Sequence, residues 1–408
     1  MTAQIVIINQ SGIAIASDSL TSSMGGHGDM IRKATPGAHK IYSLPSQHDI
    51  VVLHSGAVYL GNIQYQLLIN EWARSLRDKG PYERLEQYVE SFDNFVSQWR
   101  VLELNEASQI ARAIRTELHE AWSSTKRGRP DLIDAELSKE KDESVFKKFD
   151  SESEDVIIEM LNHTAEHFLK LEPFADLSLD KAIKTIKTSE FNSVESFKFF
   201  FDQEEISEKL QSEVVKFCAE RLRRYEAGST SLNFVGFGSS EPIGGVIEVS
   251  VESFHSNKLR FHMEQRRPSL DKHEDLIYPI AQTSATDQFM YGYDLKFSRK
   301  MNKLAEDTLA DLIDSEGPLY TEFFEKFREG LSKIRNDNKS EVYDTLSILG
   351  IQALEKMAHF LIQSQSFQAA AVDEQTSVGG LIETVVITRE RGVEWSNKQN
   401  GQSSHVFA

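Results

Sequence analysis

Residues 2–19 read TAQIVIINQSGIAIASDS, and this stretch decides the fold. Two runs of β-branched and apolar residues, 4–8 and 12–17, flank a group that begins Asn9-Gln-Ser-Gly. Apolar runs on both sides of such a turn-forming group predict a β-hairpin. The second run ends at Asp18, so we expect a carboxylate at the end of the second strand.

The residue that precedes this hairpin has the groups that a nucleophile needs. Removal of Met1 would leave Thr2 with a free α-amine and a hydroxyl on one residue. An α-amine titrates near ~7.7, so it can take the proton from the hydroxyl. N-terminal threonine is one variant of the nucleophile and base pair. We therefore expect Met1 to be removed and Thr2 to act as a nucleophile.

The composition excludes several classes of partner. The 408 residues contain 45 basic and 63 acidic side chains, for a net charge of −18. Such a chain repels phosphate backbones, so nucleic acid is not an expected partner. The lone Cys218 cannot form an internal disulfide, which is typical of the cytoplasm. No apolar run reaches the ~18 residues of a membrane span, so no membrane contact is expected.

The remaining chain alternates between blocks of strands and blocks of helices. It reads in order as a loop over 20–39, strands over 40–45 and 49–54, helices from 60 to 226, strands from 232 to 281, helices over 287–335 and 341–368, and strands from 381 to 395. Helices do not alternate singly with strands, which argues against a doubly wound parallel sheet. Two antiparallel sheets between helical layers fit this order better.

The order of strand pair, Asp18, a strand opened by Lys40, and a Ser-Gly pair before a helix resembles the proteasome β-subunit family of N-terminal-nucleophile hydrolases. The resemblance covers residues 2–19 and 40–61, and it returns at 234–251, 289–294 and 377–388. It implies an α+β fold, a four-layer αββα sandwich with long helical insertions. The implied division is the N-terminal part of the core at 1–80, a helical insertion at 81–226, central core strands at 227–295, a helical segment at 296–368, and C-terminal core strands with a polar tail at 369–408.

The resemblance assigns four site residues by pattern. Thr2 matches the nucleophile, and Asp18 lies at the family's spacing from it within Ala-Ser-Asp-Ser. The Lys-Ile pattern that holds the family's lysine matches Lys40, with Lys33 as the alternative. Gly56 matches the glycine whose backbone N–H stabilises the oxyanion.

Two further positions are implied near the C-terminal strands and the central region. Asp373 and Ser377 match the supporting aspartate and serine that the family brings to its site. In the central region the expected serine position falls close to Ser284 or Asp287, which departs from the family's pattern.

These assignments imply a threonine peptidase that cleaves amide bonds through an acyl-enzyme on Thr2. They imply no cofactor and no metal, a peptide or protein substrate, a homo-oligomer, and an unfoldase or adaptor as a candidate partner. Amidase activity on a small substrate is open on the same residues, because a fold does not fix the substrate. A catalytically inactive scaffold or partner-binding subunit is open as well.

A second motif favours a different enzyme class. His163, Glu166 and His167 form an H-x-x-E-H sequence on a predicted helix. In inverted zinc peptidases two such histidines bind zinc and the glutamate acts as a base. The same residues could equally be structural histidines on the helix, so the zinc peptidase stays an alternative.

Overall fold

The computed structural model describes residues 2–24, 31–35, 38–60, 63–99, 151–188, 205–224, 230–255, 258–268, 275–310, 318–372 and 378–397. These residues form a mixed α+β structure with two five-stranded antiparallel sheets and helices, which confirms the predicted class. Within them, no helix is both long enough and apolar enough to cross a bilayer.

Among the described residues, the strands and helices follow the blocks predicted from the sequence, except that Tyr59–Leu60 and Ile63–Gln64 pair as short strands where a helix from residue 60 was predicted. The strands are β1 (Ala3–Asn9), β2 (Gly12–Asp18), β3 (Thr21–Met24), β4 (Ile31–Thr35), β5 (Ile41–Ser43), β6 (Ile50–Ser55), β7 (Tyr59–Leu60), β8 (Ile63–Gln64), β9 (Thr230–Gly236), β10 (Gly245–His255), β11 (Lys258–Arg266), β12 (Leu276–Ala281), β13 (Ile382–Thr388) and β14 (Gly392–Asn397). The helices are α1 (Tyr65–Ser75), α2 (Leu85–Ser97), α3 (Ser151–Leu169), α4 (Leu179–Thr188), α5 (Glu208–Leu222), α6 (Ser284–Tyr291), α7 (Leu295–Ala310), α8 (Pro318–Ser347) and α9 (Ile351–Val372).

The first sheet has the strand order β12-β1-β2-β13-β14 and contains both ends of the described chain. The predicted hairpin is present, because β1 pairs with β2 from Gln4 opposite Ser17 to Asn9 opposite Gly12. The second sheet has the order β11-β10-β9-β6-β5. The sequence-based loop over 20–39 was wrong in part, since β3 and β4 form an antiparallel pair there.

Both sheets are covered on two faces, which gives four layers. Alternate side chains of β1 point to opposite faces of the sheet. Val6 and Ile8 pack between the two sheets, and Ile5 and Ile7 pack against helices. Helices α1 and α2 cover the outer face of the second sheet, and α6, α8 and α9 cover that of the first. Burial on both faces explains why β1 is a continuous apolar run rather than an alternating one.

Helices α3, α4 and α5 pack around a separate apolar cluster. Ion pairs join this group of helices to the second sheet. Asp176, between α3 and α4, has its Oδ1 2.8 Å from Nη1 of Arg260 on β11. The Arg260 side chain holds the pKa of Asp176 well below its usual range, mainly through this hydrogen bond. The domain boundaries implied by the sequence stay predictions.

Candidate active site

A cavity of about 490 Å³ lies at one end of the sandwich. Its wall is formed by the start of β1, the segment that leads into β5, the end of β6 and the end of β12. Three of the residues named from the sequence, Thr2, Lys40 and Gly56, line it. The structure therefore brings these three residues, which are far apart in the chain, to one space.

Asp18 and Lys40 form a buried ion pair beside this cavity. Lys40 Nζ donates to Asp18 Oδ1 at 2.6 Å and to the carbonyl of Leu20 at 2.7 Å. Asp18 also accepts hydrogen bonds from the backbone N–H groups of Ala3 at 2.9 Å and Gly379 at 3.2 Å. Asp18 is fully buried and Lys40 is 5% exposed. Backbone groups near both ends of the described chain therefore hold the Asp18 carboxylate, which in turn fixes the Lys40 ammonium.

Burial controls the protonation of this lysine. Removal from water lowers the pKa of Lys40, and the negative charge and hydrogen bond of Asp18 oppose that effect. A second carboxylate, Glu383, raises the pKa of Lys40 to a smaller extent. An ammonium has three protons, and the contacts with Asp18 and Leu20 account for two of them. Among the described residues no third acceptor contacts Lys40 Nζ, so its third proton is available to a group in the cavity.

The backbone of Thr2 is held by the edge strand of the first sheet. Ala3 pairs with Ala281 on β12, and the carbonyl of Thr2 accepts a hydrogen bond from Gln282 N–H at 3.1 Å. Ala281 has a φ of 66°, in the left-handed region that a residue with a Cβ rarely adopts. Such conformations cost about 1–3 kcal/mol and cluster at functional sites. No local pattern in the sequence indicates this turn.

Gly56 has a left-handed backbone with a φ of 98°, which a residue without a Cβ adopts freely. The next residue is fixed on both sides. Its carbonyl, that of Ala57, accepts from His54 Nε2 at 2.9 Å, and its N–H donates to Thr230 Oγ1 at 3.2 Å. These contacts hold the Gly56 turn in place at the cavity wall.

His54 lines the cavity as a neutral group. Burial lowers the pKa of His54 to about 4, an effect that the Ala57 carbonyl opposes and the charge of Lys40 reinforces. At neutral pH the ring is therefore uncharged, and its Nε2–H donates to Ala57. The role that its contacts support is to shape the turn at Gly56.

Gln4 joins the two sheets behind the cavity. It is fully buried on β1, and its side-chain amide lies 3.3 Å from each of three oxygens, Ser17 Oγ and the carbonyls of Lys40 and His54. Gln4 was not predicted as a site residue, although a glutamine next to the apolar run 5–8 is a usable sequence signal. Gln4 fixes the distance between the strand that carries Thr2 and the segments that carry Lys40 and His54.

The other predicted site residues are not among the described residues that line the cavity. Asp373 and Ser377 lie outside the described residues, although Gly379, two positions later, contacts Asp18. Asp287 accepts a hydrogen bond from Thr283 Oγ1 at 2.8 Å within α6, and the described cavity lining includes neither Asp287 nor Ser284. The alternative lysine, Lys33, lies on β4 opposite Ser23.

The zinc motif lies on α3, away from this cavity. His163 Nδ1 is 3.5 Å from Glu166 Oε2, and the two side chains are 80% and 65% exposed. The side chain of His167 lies outside the described part of the chain. Among the residues that are described, no group of three or more His, Cys, Asp or Glu side chains could hold a metal ion.

Comparisons with known proteins give a distant structural similarity. No family model matches the chain, and no curated protein matches it. Among solved structures, the chain is similar to a Gly-1 mutant of Anbu from Hyphomicrobium sp. strain MC1, with 9% identity and a TM-score of 0.29, covering 100% of this chain and 91% of that one. It is also similar to Anbu, described as an ancestral beta-subunit, from Yersinia bercovieri, with 8% identity and a TM-score of 0.30, covering 98% of this chain and 88% of that one.

Proposed function

We propose that this chain is an N-terminal threonine hydrolase that cleaves amide bonds in peptides through an acyl-enzyme on Thr2. The observation that carries the proposal is the buried Asp18–Lys40 ion pair beside a cavity lined by Thr2 and Gly56. A buried ion pair contributes little net stability, because the cost of removing two charges from water offsets their attraction. A lysine in this setting fits a role in activating a neighbouring hydroxyl.

The first step is attack by the Thr2 hydroxyl on the amide carbonyl. With Met1 removed, the α-amine of Thr2 takes the hydroxyl proton, directly or through a water molecule. The ammonium of Lys40 stabilises the oxygen as it loses its proton, and it favours the neutral form of the nearby amine. Asp18 holds the lysine in position through the 2.6 Å contact.

The negative oxygen of the tetrahedral intermediate is stabilised by the backbone N–H of Gly56. One such donor is typically worth about 3 kcal/mol of transition-state stabilisation. The left-handed backbone and the absence of a side chain leave room for a substrate carbonyl at this position. Water then hydrolyses the acyl-enzyme ester and restores Thr2.

We further propose that the four layers are the αββα sandwich of proteasome β-subunit-like hydrolases and that the chain forms a homo-oligomer. Large apolar side chains are exposed near the ends of α8 and on α9. They are Leu319, Ile348 and Phe367, with exposed fractions of 68%, 81% and 69%. Exposed apolar surface of this kind is typical of protein interaction sites, which an unfoldase or adaptor could also use. Sedimentation of the purified protein tests self-association.

Intact-mass spectrometry with a peptide epoxyketone tests the proposed activity. We expect a chain that begins at Thr2 and gains the mass of one probe. Thr2→Ser keeps a hydroxyl and an amine on one residue and should still be labelled, whereas Thr2→Ala should not. A mature chain that begins at Met1, or labelling that survives Thr2→Ala, would refute the proposal.

A further inference from the structure

A second acid–base pair lies beside the Asp18–Lys40 pair. His39 Nδ1 is 3.3 Å from Glu383 Oε1, with the Glu383 side chain fully buried and that of His39 16% exposed. His39 lines the cavity together with Thr2 and Lys40. The two pairs are therefore formed by neighbouring residues of the same segment, His39 and Lys40, and reach carboxylates on adjacent strands of the first sheet.

The strand register explains how Glu383 reaches this position. On β2, Ser17 lies opposite both Gln4 on β1 and Glu383 on β13. Residues directly opposite one another in antiparallel strands point to the same face of a sheet. Gln4, Ser17 and Glu383 thus form one polar row on the faces of the first sheet that pack against the second. Gln4 and Glu383 contact Lys40 and His39, which line the cavity.

The backbone on the His39 side is also fixed. Tyr42 lines the cavity, and its hydroxyl donates to the carbonyl of His39 at 2.7 Å. Burial, and then the charge of Glu383, raise the pKa of Tyr42 above its usual range, so this phenol stays neutral and keeps its proton for the hydrogen bond. The main chain of His39 is held, and Nδ1 lies 3.3 Å from Glu383 Oε1, so Nε2 is the nitrogen that we assign to a bound molecule.

We propose that His39, oriented by Glu383, is the catalytic acid that delivers a proton to the leaving nitrogen of the substrate. The inference rests on the proposed function of Thr2. Glu383 is a positioning residue, because it acts through the imidazole rather than on the substrate. A carboxylate beside Nδ1 orients the ring and favours the imidazolium, whose Nε2–H can then be transferred.

The protons balance over the two steps. In acylation the bond between Thr2 Oγ and the carbonyl carbon forms, and the Oγ proton passes to the α-amine. His39 enters this step as the imidazolium, with one proton on each ring nitrogen. The carbon–nitrogen bond breaks, its electron pair stays on nitrogen, and nitrogen takes the Nε2 proton, which leaves His39 neutral. In deacylation water bonds to the carbonyl carbon and gives one proton to His39, while Oγ leaves and recovers its proton from the Thr2 ammonium. The net reaction converts an amide and water into an acid and an amine.

A pair of leaving groups separates this role from a structural one. A tetrapeptide library is prepared twice, once as aminomethylcoumarin amides and once as hydroxymethylcoumarin esters with the same acyl groups. The amide nitrogen must be protonated in order to leave, whereas the phenolate leaves without a proton. Coumarin release in the first turnover is measured, because it reports acylation alone and deacylation is the same for both libraries. We expect His39→Gln to slow this release from amides by about 100-fold or more, the usual range for general acid catalysis. The same step with the esters should change by less than about three-fold, because a phenolate leaves without the acid.

Matched variants complete the test. Glu383→Gln should also slow acylation by amides selectively, but less than His39→Gln, since the acid itself remains and only the charge beside Nδ1 is lost. His163→Gln, at an exposed histidine on α3, should change neither reaction. Equal loss on both substrates, or no loss on either, would overturn the role of His39 while the proposed function of Thr2 stands. A wild-type protein that cleaves neither library overturns both.

Discussion

Replacing Asp18 by Asn would leave the ammonium of Lys40 buried without its counter-charge. Removing one partner of a buried ion pair typically costs about 3–5 kcal/mol of unfolding free energy. The backbone N–H groups of Ala3 and Gly379 now donate to Asp18, and the side-chain NH2 of an asparagine would face one of them. Two donors would then meet without an acceptor. An unsatisfied donor adds about 1–3 kcal/mol, so we expect a total near 5 kcal/mol.

Replacing the other partner of the pair, Lys40, should lower the free energy of unfolding by less. Lys40→Met leaves the carboxylate of Asp18 with its backbone N–H donors, so we expect a loss of about 2–3 kcal/mol. The double variant removes both charges and should lose less than the sum of the single variants, with a coupling energy of about 2–3 kcal/mol. Urea unfolding of the four proteins, followed by circular dichroism, measures this coupling.

An exposed pair of the same length is the control. Lys326 Nζ lies 2.6 Å from Glu322 Oε1 on α8, the distance found for Lys40 and Asp18, but these side chains are 72% and 58% exposed. Water screens such a pair, so its coupling energy should stay below about 0.5 kcal/mol. If the buried pair couples no more strongly than the exposed one, the electrostatic account of this site is wrong.

Two more predictions follow from single residues. The folded-state pKa of His54 is about 4, so between pH 6.5 and 4 the unfolded chain binds a proton that the folded chain does not. The free energy of unfolding should therefore fall by about 3 kcal/mol as the pH is lowered from 6.5 to 4. His54→Asn should flatten this part of a plot of unfolding free energy against pH. Gly236→Ala would place a Cβ 2.0 Å from the carbonyl oxygen of Asp49 and should destabilise by about 3 kcal/mol in urea unfolding. At Gly330 on α8, an added Cβ would meet no more distant described residue within 4 Å, so Gly330→Ala should instead stabilise by up to about 1 kcal/mol.

The parts of the fold that the sequence predicted are those with a local signal. The first hairpin follows from two apolar runs and a turn, all within residues 3–18. The polar strands β3 and β4 have no such periodicity, and composition alone indicated a loop there. The resemblance to a known family, carried by short local patterns, indicated Thr2, Asp18, Lys40 and Gly56, whose catalytic roles stay predictions.

The residues that were missed depend on contacts between distant parts of the chain. His39 and Glu383 are separated by most of the sequence, and no local pattern pairs them. Glu383 did give a usable signal, since it is a charged residue within the apolar strand IETVVIT. Gln4 gives the same signal within AQIVIIN. A polar residue inside a strand that is buried on both faces needs a partner, and its partner then indicates a site.

The position of these polar residues argues that one end of the sandwich is organised for chemistry rather than for stability. One step from the polar row, Val6, Ile15 and Val385 lie opposite one another between the sheets and are all apolar and fully buried. At the next row on the same faces, all three strands change to Gln4, Ser17 and Glu383. Each buried polar group costs about 1–3 kcal/mol unless it is hydrogen-bonded, so a chain that only packed its sheets would continue with valine and isoleucine. The change occurs at one row on three adjacent strands, beside Thr2 and the segment of His39 and Lys40, and that coincidence favours a single functional cause.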